Sequence, residues 1–110
     1  MKNFILSMFV FSFIFAPLNA SVYKGQKYFK KKCLSCHGKA LIFVTEKSYD
    51  QWTKYLDVNG DVLYDLHKDV DAASRSMKYF NSQKYRDSVH HFKDFFLEYA
   101  NDTGNIPACE

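Results

Sequence analysis

Cys33-Leu34-Ser35-Cys36-His37 places two thiols and an imidazole within one short stretch. Four chemistries use such a group: a disulfide, a metal clip, a dithiol redox pair, and covalent attachment of a haem. Each needs a different setting. A thioredoxin-type redox pair needs a βαβ context. A structural zinc site is closed and tetrahedral, so it needs a fourth ligand at suitable spacing. The remaining cysteine, Cys109, offers one only from a distant tail. A disulfide between Cys33 and Cys36 leaves His37 without a role. The order C-x-x-C-H is the attachment signature of c-type haem, which employs all three side chains. Two cysteines three apart at the end of a helix reach the two vinyl groups on one porphyrin edge. The next residue then lies beneath the iron, with its imidazole as proximal ligand.

The start of the chain bears on the choice. Met1-Lys2-Asn3 is short and basic, Phe4 to Ala16 is apolar apart from Ser7 and Ser12, and Ala20 is a small residue at a cleavage position. This is the anatomy of a secretory signal peptide, and the run falls short of the roughly 20 residues that span a bilayer. Residues 1–20 are therefore expected to be removed. Residues 21–110 are expected to form one exported, periplasmic domain with no stable membrane insertion. Export makes disulfides the default for paired cysteines, but three cysteines do not make a disulfide scaffold. Attachment of c-type haem follows export in bacteria, so one cofactor accounts for both the leader and the motif.

Charge and composition narrow the partners. The chain carries 15 Lys+Arg against 12 Asp+Glu. Lys24, Lys27, Lys30, Lys31, Lys32 and Lys39 crowd around the motif with no acid between Tyr23 and Lys39. Beyond that stretch and the leader the balance is acidic. So small a net charge on an exported chain points away from nucleic acid and toward acidic redox partner proteins. Eleven Phe, eight Tyr and one Trp are many for so short a chain, though several Phe lie in the leader. A core of this size often needs a cofactor or staple, and flat aromatic side chains suit a large flat apolar group or one another.

The elements that must position the motif read as all-α. Gly25, Phe29 and Cys33 recur every fourth residue, which predicts one stripe of a helix over 22–33. The apolar run Leu41 to Val44, within the connection 38–47, predicts a short extended segment. Ser48-Tyr49-Asp50-Gln51 fits a capping box and predicts a second helix, with Trp52, Tyr55 and Leu56 inward, ending at Asn59-Gly60. A third helix is expected from Asp61 to about Val70, with Leu63, Leu66, His67 and Val70 on one face. Further helical turns over 72–80 bring Ala73, Met77 and Phe80 together. The last helix, 82–100, carries Tyr85, Val89, Phe92, Phe96 and Tyr99 as an amphipathic stripe. His90 and His91 fall outside it as surface residues, with His90 in reach of Asp94.

Gly25-x-x-x-Phe29-x-x-x-Cys33-x-x-Cys36-His37-Gly38 resembles the first helix and haem site of small periplasmic monohaem cytochromes c of class I. The tail "YANDTGNIPAC" resembles that of a group from Campylobacter-like bacteria. The resemblance implies a small helical fold wrapped around one haem bonded through Cys33 and Cys36, with His37 on the iron. It also implies a close crossing of Gly25 and Phe29 with the last helix, where Phe95, Phe96 and Tyr99 are the candidates. The chain departs from the family in two places. No proline lies shortly after Cys36-His37-Gly38 to orient the histidine, since the chain has only Pro17 and Pro107, and the usual distal methionine–proline pair is missing.

Two residues compete for the sixth iron position. Met77 lies where the resemblance implies a methionine, although most methionines are core filler. His67 sits on an apolar helix face, where a buried imidazole needs a partner. The position is also open to another residue or to none. No nucleophile–base constellation is visible, so the expected role is single-electron transfer rather than enzymatic catalysis. The alternative is a haem-based protein that binds or senses a small ligand at a vacant or displaceable position. With both other cysteines taken by haem, Cys109 is left for an intermolecular disulfide dimer, for carrying a sulfur intermediate, or for a packing role.

Overall fold

The computed structural model describes residues 17–107. The leader run and Cys109 lie outside the described residues. Every regular element among those described is helical, as the sequence pattern predicts.

Helix α1 spans Pro17–Lys32. Proline suits a first turn, where its missing N–H has no partner to lose. The helix thus begins ahead of the expected cleavage point at Ala20. Val22, Gly25 and Phe29 form its buried stripe, and Lys24, Lys27, Lys30, Lys31 and Lys32 are exposed. Helix α7, Gln83–Glu98, starts where the Ser82 hydroxyl accepts the Tyr85 N–H at 3.3 Å. It buries Tyr85, Val89, Phe92, Phe95, Phe96 and Leu97. Tyr99, expected on that stripe, is half-buried and packs on Phe95 with ring centres 5.5 Å apart.

The crossing of α1 and α7 is the centre of the fold. A Cβ added at Gly25 would collide with the His91 carbonyl oxygen and lie 2.6 Å from Phe95 Cβ. Only glycine allows the backbones so close. One turn on, Phe29 has no exposed surface and meets Phe95 and Phe96 with ring centres 6.2 and 5.9 Å apart. Such burial contributes about 1.5–3 kcal/mol for a side chain of this size.

Short elements fill the interval. Helix α2 is Leu34–His37, α3 is Ala40–Val44 and α4 is Tyr49–Thr53. The extended segment expected at 41–44 is thus a helical turn. Its outer residues, Ala40 and Val44, sit four apart and are both buried, while Leu41 and Ile42 face outward. That is helical spacing, which the β-branched run concealed. The capping box is present: the Ser48 Oγ accepts the Gln51 N–H at 3.2 Å, and Gln51 Oε1 accepts the Ser48 N–H at 2.9 Å. Helix α4 nonetheless stops at Thr53, short of the expected Asn59-Gly60. The Trp52 indole N–H donates to the Val44 carbonyl at 2.8 Å and ties α3 to α4.

Helix α5, Asp61–Lys68, is capped from outside. Asp57 accepts the N–H groups of Asp61 and Val62 at 3.1 and 3.0 Å. Gly60, at φ 74°, makes the entry rather than closing α4. The Tyr85 hydroxyl donates to its carbonyl at 2.5 Å, and an added Cβ would lie 2.5 Å from Val89 Cγ2. A 3-10 segment, Asp71–Ser76, and α6, Met77–Phe80, return the chain to α7.

Candidate functional site

The motif occupies the corner after α1. The Cys33 N–H still donates to the Phe29 carbonyl at 2.8 Å, and the His37 N–H donates to the Cys33 carbonyl at 2.9 Å. The second bond winds Leu34 to His37 into one turn. Gly38 ends that turn at φ 77°. Cys33 is half-buried and Cys36 exposed. Burial, and then the neighbouring Cys36, push the Cys33 thiol up to about 12. A free thiol there stays protonated at neutral pH.

The corner opens onto a cavity of about 400 Å³, within the range for small-molecule and cofactor pockets. Cys33, Cys36 and His37 line it at one end. Phe29, Phe43, Trp52, Phe92 and Phe96 supply an aromatic floor from four separate elements. Leu63, Leu66, His67 and Val70 come from α5 and the residues after it, and Ala73, Tyr79, Phe80 and Tyr85 complete the wall. Leu66 and Val70 are about half exposed, so the rim is apolar. The Tyr79 hydroxyl shares a hydrogen bond with the Ser88 Oγ at 2.6 Å. Burial pushes its pKa up to about 12, with the Ser88 bond opposing. Lys32, Glu46 and Lys47 are the charged lining residues. The Lys32 Nζ sits over the Tyr79 ring at 5.0 Å, and the Lys47 Nζ over the Trp52 ring at 5.4 Å.

Two imidazoles share this cavity. His37 and His67 have ring centres 5.9 Å apart and planes at 79°. His37 rests against Phe43 at 4.7 Å, and His67 stacks on Phe80 at 4.5 Å and 27°. The His67 Nδ1 lies 2.6 Å from the Leu63 carbonyl oxygen. A carbonyl only accepts, so Nδ1 carries a proton, and in the neutral tautomer Nε2 holds the lone pair. His37 is exposed overall, but the partial burial of its ring, and then the nearby His67, lower its pKa, with Glu46 opposing. That favours the neutral ring a metal ligand must be.

The structure therefore brings Cys33, Cys36, His37 and His67 to one cavity. It leaves Met77 on α6, half-buried and outside the lining. Among the described residues, no three His, Cys, Asp or Glu side chains gather as a metal-binding group. His91 differs from its expected surface role. It is half-buried, and its Nδ1 lies 2.8 Å from the Ser21 Oγ. The Ser21 hydroxyl, not His90, is bonded to Asp94, at 2.5 Å. Phe43 was missed as a site residue. Its one sequence signal was an aromatic six positions after a histidine, which is no pattern at all.

Comparison with known proteins returned no match to a family model, a curated protein or a solved structure. The chemistry of the site rests on its own residues. Their fit to a haem is good in kind: paired thiols and an imidazole at one end, an apolar aromatic chamber, and a second imidazole within. Among the described residues no helix is long and apolar enough to cross a membrane.

Proposed function

We propose that this chain is an exported, periplasmic c-type cytochrome that carries single electrons between redox proteins. One observation carries the reading: C-x-x-C-H opens onto an apolar cavity of cofactor size whose wall holds a second imidazole. Cys33 and Cys36 would hold the haem by adding their S–H bonds across its vinyl groups. Both thiols must therefore be reduced when attachment occurs. His37 would bind the iron. A bound haem supplies a one-electron iron couple set by its axial ligands and surroundings. The chain's own share is to exclude water with Phe29, Phe43, Trp52, Phe92 and Phe96, and to leave an edge near the apolar rim.

The lysines supply the docking chemistry. Lys24, Lys27, Lys30, Lys31, Lys32 and Lys39 are all exposed, and among the described residues none is in an ion pair. Lys32 reaches the cavity itself. A unipolar surface beside the electron entry point steers acidic partners, and its effect falls with ionic strength.

The test is expression in a host that attaches c-type haem. Intact mass should show the mature chain plus one haem, and a pyridine haemochrome assay should count one per chain. Bare polypeptide would overturn the proposal. Rapid formation of a CO adduct by the reduced protein would favour a ligand-binding or sensing role over a carrier.

A further inference from the structure

We infer that His67 is the second axial ligand, so that the iron sits between two imidazoles and Met77 takes no part. This rests on the haem reading above. Four observations carry it. First, imidazoles bound on opposite sides of one metal ion, at metal–nitrogen distances of about 2 Å, have ring centres roughly 6 Å apart. The rings of His37 and His67 stand at 5.9 Å without any ion to hold them there. Second, the tautomer is set. The Leu63 carbonyl accepts a hydrogen bond from the Nδ1–H of His67 and leaves Nε2 free to bind. Ligating histidines almost always make such a bond through their other nitrogen.

Third, the ring is held before any metal arrives. Phe80 stacks on it, and α5 is fixed at its start by Asp57 and by the Tyr85–Gly60 hydrogen bond. His67 is thus the better-anchored of the two imidazoles. His37 makes no side-chain hydrogen bond among the described residues, and its ring contacts are with Phe43 and with His67 itself. Fourth, the competing methionine sits outside the cavity lining.

The assignment has two consequences. Two imidazoles leave no position for an exogenous ligand, which suits a carrier. They also lower the reduction potential relative to a histidine–methionine pair.

The experiment uses the haem-loaded protein and three variants: His67→Ala, His67→Met and Met77→Leu. The oxidised wild type should be low-spin and lack a methionine–iron band in the near infrared. Met77→Leu should leave that spectrum unchanged. His67→Ala should retain covalent haem by intact mass, bind CO on reduction, and return to a low-spin spectrum when free imidazole is added. His67→Met should raise the potential. A methionine band in the wild type that disappears in Met77→Leu overturns the inference and leaves the haem reading standing. An unaltered spectrum in His67→Ala overturns it equally. Should the His67 variants fail to accumulate, the wild-type spectrum decides alone. Bare polypeptide in the wild type overturns both.

Discussion

The α1–α7 crossing and the segment from Asp57 to Phe80 are built on opposite plans. The crossing is two sixteen-residue helices in backbone contact, with phenylalanines closed off from water. The other segment is a chain of short helical pieces. Within it, α5 and α6 have no fully buried residue, and the 3-10 turn between them buries only Ala73. The first region carries the stability, and the second carries His67. Burial of large side chains fixes where the motif corner points. Hydrogen bonds and one ring stack fix where His67 points, and these cost less to rearrange.

Substitutions in the crossing should have the largest effects. Phe29→Ala removes a ring with no exposed surface and should cost about 3–5 kcal/mol in guanidinium unfolding of the purified protein. Gly25→Ala comes next. Its new methyl meets a backbone carbonyl, which cannot swing aside. The helices must separate, at about 3 kcal/mol, the upper end for overpacking. If both variants unfold like wild type, the crossing is not the stabilising region.

Asp57→Ala should sharpen the contrast. Losing a cap costs about 1 kcal/mol, and the loss should fall on α5 rather than on the whole. Amide hydrogen exchange at Asp61 and Val62 should quicken, and the α7 amides should keep their protection. Asp57→Asn should retain most of the cap. Burial alone would raise the Asp57 pKa, but the N–H donors of Val62 and Asp61 outweigh it and hold it below the usual carboxylate range. Its contribution is therefore present above the unfolded value and is lost as pH falls through the folded one.

The smallest effect belongs to His91. Burial, then the charges of His90 and Lys24, lower its pKa, with Asp94 opposing. The unfolded chain takes up the proton first as pH falls from about 6.5, so stability should decline from there down to the folded value. His91→Gln should flatten that decline between pH 7 and pH 5.5. An identical slope in both proteins would show that the ring carries no such linkage.

The crossing was legible because long periodic stripes survive any local competition. Gly25, Phe29 and the α7 aromatics recur at helical spacing over several turns, and Ser48 and Gln51 cap by local chemistry alone. The short pieces were harder. Four apolar residues at 41–44 fit a strand or a helical turn equally, and the burial of Ala40 and Val44 decided it. The end of α4 was misplaced because Gly60 serves as an entry to α5, a role set by Tyr85 far along the chain. His67 shared a face with Leu63, Leu66 and Val70 in the sequence, as it does on the cavity wall. That His67 lines the cavity while Met77 does not required tertiary placement. So did the roles of His90 and His91, where one step of helix rotation decides which ring meets Ser21.

The glycine at the mouth of α5 joins that helix to the aromatic ridge beneath it through one hydroxyl and one carbonyl. A segment moored at so few points is separable from its base. Under the proposed reading, descendants of this sequence, or a designer, can recast the strip of cavity wall that carries His67, and with it the voltage of a bound haem, while the two long rods below stay untouched.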